Sequence, residues 1–125
     1  MRKKNESKNA ALLTEVIFEG MKNNKAEDIV LLDLNGIDNA VCKYFVICTG
    51  KSSTQIEGIA NAVVRATREE LKERPWHQEG RGTSEWILLD YVDVVIHIFS
   101  KELRAYYELE ELWADAKRSE IETVY

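Results

Sequence analysis

Residues 44–56 read YFVICTGKSSTQI, a stretch that runs from an apolar segment through a sharp turn into a helix. The run YFVICT (44–49) is apolar and rich in β-branched and aromatic side chains, which predicts a buried strand. Gly50 opens the turn. Ser53 or Thr54 is expected to cap the helix, because a hydroxyl oxygen can accept a hydrogen bond from an N–H of the first helical turn.

The helix that follows is predicted to cover residues 55–74. Its apolar side chains recur every three or four positions and its charged side chains lie mostly between them, as on a helix with one buried face. Pro75 is expected to end it, because the residue before a proline disfavours the helical conformation. Residues 76–84 (WHQEGRGTS) contain two glycines and are predicted to be a connector.

Two more strands are predicted at residues 85–90 (EWILLD) and 93–99 (DVVIHIF). Only Tyr91 and Val92 separate them, so they are expected to form a tight antiparallel hairpin. The last helix is predicted at residues 101–119, which carry leucine and aromatic side chains.

Upstream of the opening stretch, the pattern predicts a helix at residues 9–24 and a buried strand at 28–34. The element order is therefore α-β-β-α-β-β-α. A crossover through the middle helix implies a mixed β-sheet flanked by helices, an α/β (α+β) fold. We expect one domain over residues 9–119, a flexible N-terminal tail at 1–8 and a loose C-terminal tail at 120–125.

The bulk composition is ordinary for a globular domain: 125 residues, 45% hydrophobic and 31% charged. No apolar run approaches the roughly 20 residues that span a bilayer. The basic N-terminus is not followed by the apolar segment of a secretory signal, so we expect a cytoplasmic protein that binds no membrane. Cys42 and Cys48 match no zinc or redox spacing, and the two histidines lack partners at metal-ligand spacing, so no metal or cofactor is expected.

The net charge of −5 is unevenly distributed along the chain. Residues 75–125 contain five basic and eleven acidic side chains, whereas residues 1–74 are nearly neutral. An acidic half disfavours binding to a phosphate backbone, and no sequence-specific nucleic-acid binding is expected. It favours a basic protein partner, although a solvated acidic surface without a partner has the same charge.

An enzymatic alternative rests on two short segments. The turn at Gly50, Lys51 and Ser52 lies where backbone N–H groups can hold an anion, but the P-loop spacing is absent and an ordinary start of a helix is the favoured explanation. Asp90 and Asp93 could hold Mg²⁺ beside a phosphate, but residues that flank a tight turn also satisfy its backbone groups. A nucleotide-binding or nucleotidyltransferase-like enzyme would use these residues.

The second half of the chain is rich in aromatic side chains, which anchor interfaces because they bury large areas at little rotamer cost. These residues are Trp76, Trp86, Tyr91, Phe99, Tyr106, Tyr107 and Trp113. Trp86 and His97 alternate with apolar neighbours and are expected to be structural, with His97 hydrogen-bonded. Trp76 lies in the predicted connector, where both a core role and an interface role are open.

Five segments, taken in order, resemble the Iojap family, the bacterial ribosomal silencing factors called RsfS. They are DIVLLDL (28–34), YFVICTGKSSTQI (44–56), WHQEG (76–80), EWILLDYVDVVIHIFS (85–100) and YYELEELW (106–113). The resemblance implies a nucleotidyltransferase-like fold without catalysis. It also implies that the chain binds the large ribosomal subunit through ribosomal protein uL14, sterically blocks joining with the small subunit and so represses translation.

On this hypothesis, apolar anchors and acidic side chains together form the partner-binding site. The residues predicted for it are Trp76, Glu79, Asp90, Tyr91, Asp93 and Glu110. The two aromatic residues would be the anchors, and the four acidic residues would complement a basic ribosomal protein. A homodimer that uses the aromatic surface as its own interface is a third interpretation.

Val92 departs from the resembled family, which commonly has glycine in this hairpin turn. A β-branched residue disfavours positive φ. A type I′ turn, which needs positive φ at both central positions, is therefore not expected here.

Overall fold

Residues 3–82 and 85–125 are described by a computed structural model. Over these residues the helices are α1 (Lys3–Asn23), α2 (Ser53–Leu71), α3 (Lys101–Tyr107) and α4 (Leu109–Leu112). The strands are β1 (Glu27–Asp33), β2 (Tyr44–Thr49), β3 (His77–Glu79), β4 (Trp86–Asp90), β5 (Val94–Phe99) and β6 (Lys117–Glu120). Helix α1 begins at Lys3, six residues before the predicted start.

The described strands form one sheet in the order β3-β4-β5-β2-β1-β6. Strands β2 and β5 are parallel, with Tyr44 opposite Val94 and Thr49 opposite Phe99, and the other neighbouring pairs are antiparallel. The chain between β2 and β5 includes α2, because a parallel pair needs a long crossover. The predicted mixed sheet flanked by helices is confirmed.

The two faces of the sheet are covered differently. Helices α1 and α2 pack together and bury the first face, where Gly20 lets the helices approach so closely that a Cβ there would lie 2.9 Å from the Val63 Cα. The second face is covered by α3, α4 and the loop between β1 and β2. All six residues of β5 are buried, so this strand is the centre of the core.

Helix α2 begins and ends at different residues from those predicted. Ser52, and not Ser53 or Thr54, is the N-cap: its Oγ accepts a 3.1 Å hydrogen bond from the Gln55 N–H. At the other end, Lys72 adopts a left-handed φ of 58°.

The backbone closes this C-terminus. The N–H groups of Lys72 and Glu73 donate to the carbonyl oxygens of Arg68 and Thr67, each at 3.1 Å. This double capping ends the helix at Leu71, three residues before the end that the proline predicted.

The predicted connector at 76–84 contains the edge strand β3, so that prediction is wrong for three of its residues. His77 pairs with Asp90 and Glu79 pairs with Leu88 in an antiparallel ladder. All three side chains of β3 are polar and exposed. The sequence therefore shows no alternation of apolar and polar residues that would indicate a strand. Gly80 then turns the chain with a φ of 87°, where a Cβ would collide with the carbonyl oxygen of Trp86.

The predicted last helix at 101–119 is also wrong in its second half. Glu108, with a left-handed φ of 47°, separates α3 from α4, and residues 117–120 form strand β6 against β1. The predicted loose tail is attached to the body by hydrogen bonds from Ile121 N–H to Ile29 O and from the Tyr125 hydroxyl to Ala26 O. The division of the chain at residues 8 and 119 stays a prediction.

The β4–β5 hairpin forms, and its tip has an uncommon geometry. The Asp93 N–H donates to the Tyr91 carbonyl oxygen at 3.0 Å around Val92, whose φ is 77°. A hydrogen bond from residue i+2 to residue i around a positive φ defines the rarer, strained form of γ-turn. Tyr91 has no positive φ, which confirms that the turn is not type I′, but Val92 adopts one despite its branched side chain.

Replacing Val92 with glycine is therefore expected to stabilise the protein. Relief of the left-handed strain outweighs the extra chain entropy of glycine, so the Val92→Gly variant gains about 0.5–1 kcal/mol in free energy of unfolding. Urea denaturation measures this gain. The control is Val41→Gly, because Val41 is an exposed loop residue without positive φ, and that variant gains nothing. A Val92→Gly variant less stable than the parent would contradict the strain at this tip.

Candidate partner-binding surface

Strand β3 forms one edge of the sheet and directly follows Trp76, the most exposed tryptophan of the described residues. Trp76 is 78% exposed, although its backbone N–H is fixed by a 2.7 Å hydrogen bond to the carbonyl oxygen of Asp90. We call the residues around it the edge surface: Trp76, His77, Glu79, Leu88 and Asp90. The hydrogen bond to Asp90 fixes the backbone of Trp76 at the end of the ladder that pairs His77 with Asp90.

The carboxylates at this edge are oriented by local hydrogen bonds. Glu79 Oε2 lies 2.8 Å from His77 Nε2, and both side chains are more than half exposed. Asp90 Oδ1 accepts a 2.8 Å hydrogen bond from the Val92 N–H, so this carboxylate also holds the hairpin tip. Asp93 is half-buried beside the tip. The edge surface thus combines an apolar anchor with negative charge.

An aromatic layer supports β4 from the second face of the sheet. The ring centroid of Trp86 lies 5.0 Å from that of Phe99 and 4.7 Å from that of Tyr107. The His97 ring is nearly parallel to the Phe99 ring, and Phe45 meets His97 edge-on with 5.0 Å between centroids. This packing fixes the strand that carries the edge surface. The predictions that Trp86 and His97 are structural are confirmed.

His97 is a buried histidine in its neutral form. The Trp86 Nε1–H donates to His97 Nδ1 at 3.2 Å, so the ring proton lies on Nε2. Nε2 is buried and has no hydrogen-bond partner among the described residues. Burial lowers the pKa of His97 from 6.5 to about 4, against a smaller opposing effect of the Glu110 charge.

Arg104 and Glu110 form a nearly buried ion pair. Glu110 Oε2 lies 2.6 Å from Arg104 Nη2 and 3.0 Å from Nε, and each side chain is 13% exposed. Nη1 of the same arginine donates to the Asp28 carbonyl oxygen at 2.7 Å and to Thr49 Oγ1 at 2.9 Å. One guanidinium therefore ties α3 and the start of α4 to the ends of β1 and β2.

The edge surface brings together half of the six predicted partner-binding residues, and Asp93 lies beside it. Tyr91 is only 3% exposed, because it points to the α2 side and shares a 2.8 Å hydrogen bond with the Thr67 hydroxyl. Glu110 lies near Thr49, at the opposite end of β2 and β5 from Asp93. A partner contact by any of the six stays a prediction.

The residues of the enzymatic alternative do not converge. Gly50 and Ser52 follow the last residue of β2. Asp90 and Asp93 flank the hairpin tip, which lies beside Tyr44, the first residue of β2. Six residues of extended strand put roughly 20 Å between these two ends of the sheet. A phosphate held at the turn is therefore out of reach of a metal ion held by the two aspartates.

A cleft of about 380 Å³ lies beside Gly50. Its described lining includes Glu27, Glu85 and Glu102, and Lys51 Nζ already lies 3.1 Å from Glu27 Oε2. Lys101 also lines the cleft, so two lysines and three carboxylates leave a net charge of −1 (2 − 3), which does not favour a nucleotide phosphate.

Within residues 3–82 and 85–125, no three histidine, cysteine, aspartate or glutamate side chains are grouped to hold a metal ion. No helix in the same residues is long and apolar enough to cross a membrane.

Sequence reasoning missed His77, Leu88 and Arg104. The two-residue spacing of His77 and Glu79 could have indicated a shared strand face, if residues 76–80 had been interpreted as a strand. Arg104 had no comparable signal, because its partners lie 6, 55 and 76 positions away in the chain.

Comparison with known proteins gives consistent matches over nearly the whole chain. The family model described as "Ribosomal silencing factor during starvation" (RsfS) matches residues 5–125. A ribosomal silencing factor RsfS from Halalkalibacterium halodurans is 36% identical over 115 residues, covering 90% of this chain and 94% of that protein. The RsfS of Bacillus subtilis is 35% identical over 114 residues, covering 91% and 95%.

Solved structures agree with the sequence matches. A crystal structure of a protein from Chromobacterium violaceum superposes with a TM-score of 0.78 at 29% identity. The match covers 83% of this chain and 85% of that protein.

Loss of the Arg104 side chain is expected to destabilise the protein strongly. In Arg104→Met the Glu110 carboxylate stays nearly buried without its counter-charge, which costs about 3 kcal/mol or more in free energy of unfolding. The double variant Arg104→Met/Glu110→Leu regains most of that loss, since no charge is then left unpaired. Urea denaturation of the set measures both values.

Arg118→Met is the control for this pair, because Arg118 and Glu120 form an exposed ion pair. It should change stability by less than about 1 kcal/mol. An Arg104→Met variant as stable as this control would show that the Arg104–Glu110 pair is solvated.

The burial of His97 predicts a pH dependence of stability. The unfolded chain binds a proton at this residue below a pKa of about 6.5 and the folded chain only below about 4, so protonation favours unfolding between these values. The free energy of unfolding therefore falls as pH is lowered from 6.5 to 4, by roughly 3 kcal/mol from this residue. Above pH 6.5 the contribution of His97 is constant.

Thermal and urea denaturation across this range measure the slope. His97→Gln should remove the slope between pH 6.5 and 5, whereas His77→Gln, which changes an exposed histidine, should keep it. Equal slopes in the parent and in His97→Gln would contradict a buried neutral His97.

Proposed function

The chain belongs to the ribosomal silencing factor (RsfS) family, and on that premise we propose that it represses translation by binding the large ribosomal subunit. The contact is ribosomal protein uL14, and the bound protein sterically blocks joining of the small subunit. It acts in the cytoplasm as a binding protein and not as an enzyme. The separation of the Gly50 turn from Asp90 and Asp93 favours the non-enzymatic part of this proposal.

The observation that carries the proposal is the exposure of Trp76 on a fixed sheet edge. A tryptophan that is 78% exposed leaves a large apolar area in contact with water, which a partner can cover. Hot spots of protein interfaces are rich in tryptophan, surrounded by residues that exclude water. Because the backbone of Trp76 is already hydrogen-bonded to Asp90, binding costs little backbone entropy.

The charge of the same surface indicates the kind of partner. Glu79 and Asp90 lie on the edge surface, and Asp93 lies at the adjacent hairpin tip. These carboxylates suit a basic protein surface, such as that of a protein embedded in ribosomal RNA, and they speed the encounter with it.

The steric mechanism needs only the size of the bound domain. A compact chain of this length is roughly 30–35 Å across. Bound at a site that faces the small subunit, such a body prevents the close contact of the two subunits without any chemical step.

Trp76→Ala is expected to weaken binding to purified uL14 about 30-fold, which corresponds to the loss of about 2 kcal/mol from a central aromatic anchor. Titration calorimetry measures the dissociation constant. Tyr106→Ala is the matched control, because Tyr106 is 77% exposed but lies on α3 and is not one of the edge-surface residues. Unchanged affinity of a folded Trp76→Ala variant would remove Trp76 from the interface.

The same variants test the steric consequence on sucrose gradients of mixed ribosomal subunits. Saturating parent protein, or Tyr106→Ala, should reduce the joined fraction, and Trp76→Ala at the same concentration should not. A joined fraction unchanged by saturating parent protein would contradict the silencing mechanism. Light scattering over a dilution series shows whether the edge surface instead joins two copies of the chain.

A further inference from the structure

A second, oppositely charged site lies on the other side of strand β3. A cleft of about 330 Å³ opens between helix α2 and the turn that follows β3. We call it the arginine pocket, and its described lining consists of Asn61, Val64, Arg65, Arg68, Gln78 and Arg81. None of these lining residues is acidic, in a chain whose net charge is −5.

Arg81 is held in a fixed position by its neighbours. Its Nε donates to Glu57 Oε1 at 3.1 Å, its Nη1 to Gln78 Oε1 at 3.0 Å, and its Nη2 to Asn61 Oδ1. The Gly82 N–H donates to the second oxygen of the Glu57 carboxylate at 2.7 Å. The turn is therefore fastened to α2, and the wall of the pocket is preformed.

These hydrogen bonds also decide which groups remain available to a ligand. Asn61 and Gln78 accept from Arg81 through their carbonyl oxygens, which leaves the NH₂ group of each amide as a donor. The Glu57 carboxylate is engaged by Arg81 and by the Gly82 N–H. The pocket thus presents hydrogen-bond donors and little acceptor capacity.

Arg65 and Arg68 supply unbalanced positive charge. They lie three positions apart on one side of α2, both exposed, and neither side chain has a hydrogen bond or ion pair with a residue that the structure describes. Like charges at this spacing repel each other modestly, and an anion between them removes that repulsion. Guanidinium groups match the oxygens of a phosphate better than any other side chain.

We propose that the arginine pocket binds the phosphate backbone of RNA. The inference deepens the proposed function, since it assigns ribosomal RNA beside uL14 as a second contact. Successive side chains of a strand point to opposite faces, so Gln78 faces α2 while His77 and Glu79 share the other face with Asp90 and Leu88. The edge strand therefore lies between acidic groups, which suit a basic protein, and the arginines of α2 and of the following turn, which suit RNA.

The test compares two binding partners. Arg65→Gln/Arg68→Gln should weaken binding to purified large ribosomal subunits roughly tenfold at low salt and reduce the slope of log affinity against log salt by about 2. Its affinity for isolated uL14 should equal that of the parent. The matched control is Lys101→Gln/Lys117→Gln, which removes the same charge from exposed lysines away from the pocket and leaves both affinities near those of the parent.

Two outcomes would overturn the inference. If the double arginine variant binds large subunits as the parent does, the pocket contacts nothing there. If it loses affinity equally for subunits and for isolated uL14, the pocket binds an acidic protein segment and not RNA.

A separate measurement keeps this test independent of the proposed function. The probe is a short fluorescent RNA duplex of arbitrary sequence, titrated with the full chain at low salt. Loss of RNA binding in the double arginine variant but not in the lysine control supports the pocket even if uL14 does not bind. The inference would be overturned if the parent protein binds neither this RNA nor the large subunit more tightly than the double arginine variant does.

Discussion

The parallel pairing of β2 with β5 is the constraint on which the other parts of the structure depend. A parallel pair cannot be closed by a tight turn, so α2 must cross over the first face before the chain returns. The same register directs the turn at Gly50 and the hairpin tip at Asp93 to opposite ends of the sheet. It also places β4 and β3 outside β5, where β3 becomes an edge. The exposed acidic edge follows from pairing in the core.

Buried polar groups help to hold the helices on the second face of the sheet. Helices α3 and α4 have no fully buried residue of their own, and Arg104 adds to the packing of Leu103 and Leu109 by reaching Glu110, Asp28 and Thr49. His97 contributes in another way, because its neutral ring accepts the Trp86 N–H inside an aromatic layer. These two contacts favour the observed arrangement, since breaking them leaves the Glu110 charge or the Trp86 N–H without its partner.

Strand β3 lies between two surfaces of opposite charge. The strand has three residues, and all of their side chains are exposed, so it buries no hydrophobic core of its own. It is held by its ladder with β4 on one side and, through Gln78 and Arg81, by α2 on the other. A rigid edge with an acidic and a basic side suits a surface in which protein and RNA alternate, which is the character of a ribosomal subunit.

The sequence by itself determined the apolar strands, the helix that follows Gly50, the hairpin and the family, because these depend on local periodicity and on ordered motifs. Strands β3 and β6 were beyond its reach, since short polar edge strands gain their stability from neighbours distant in the chain. Trp76, for which two roles were open, is exposed because it precedes the edge strand, and Tyr91 is interior because its hydroxyl reaches Thr67 on α2. Both placements depend on neighbours distant in the chain. Only tertiary structure could gather Arg65, Arg68 and Arg81 into one pocket within an acidic protein, because net charge does not record where charges meet.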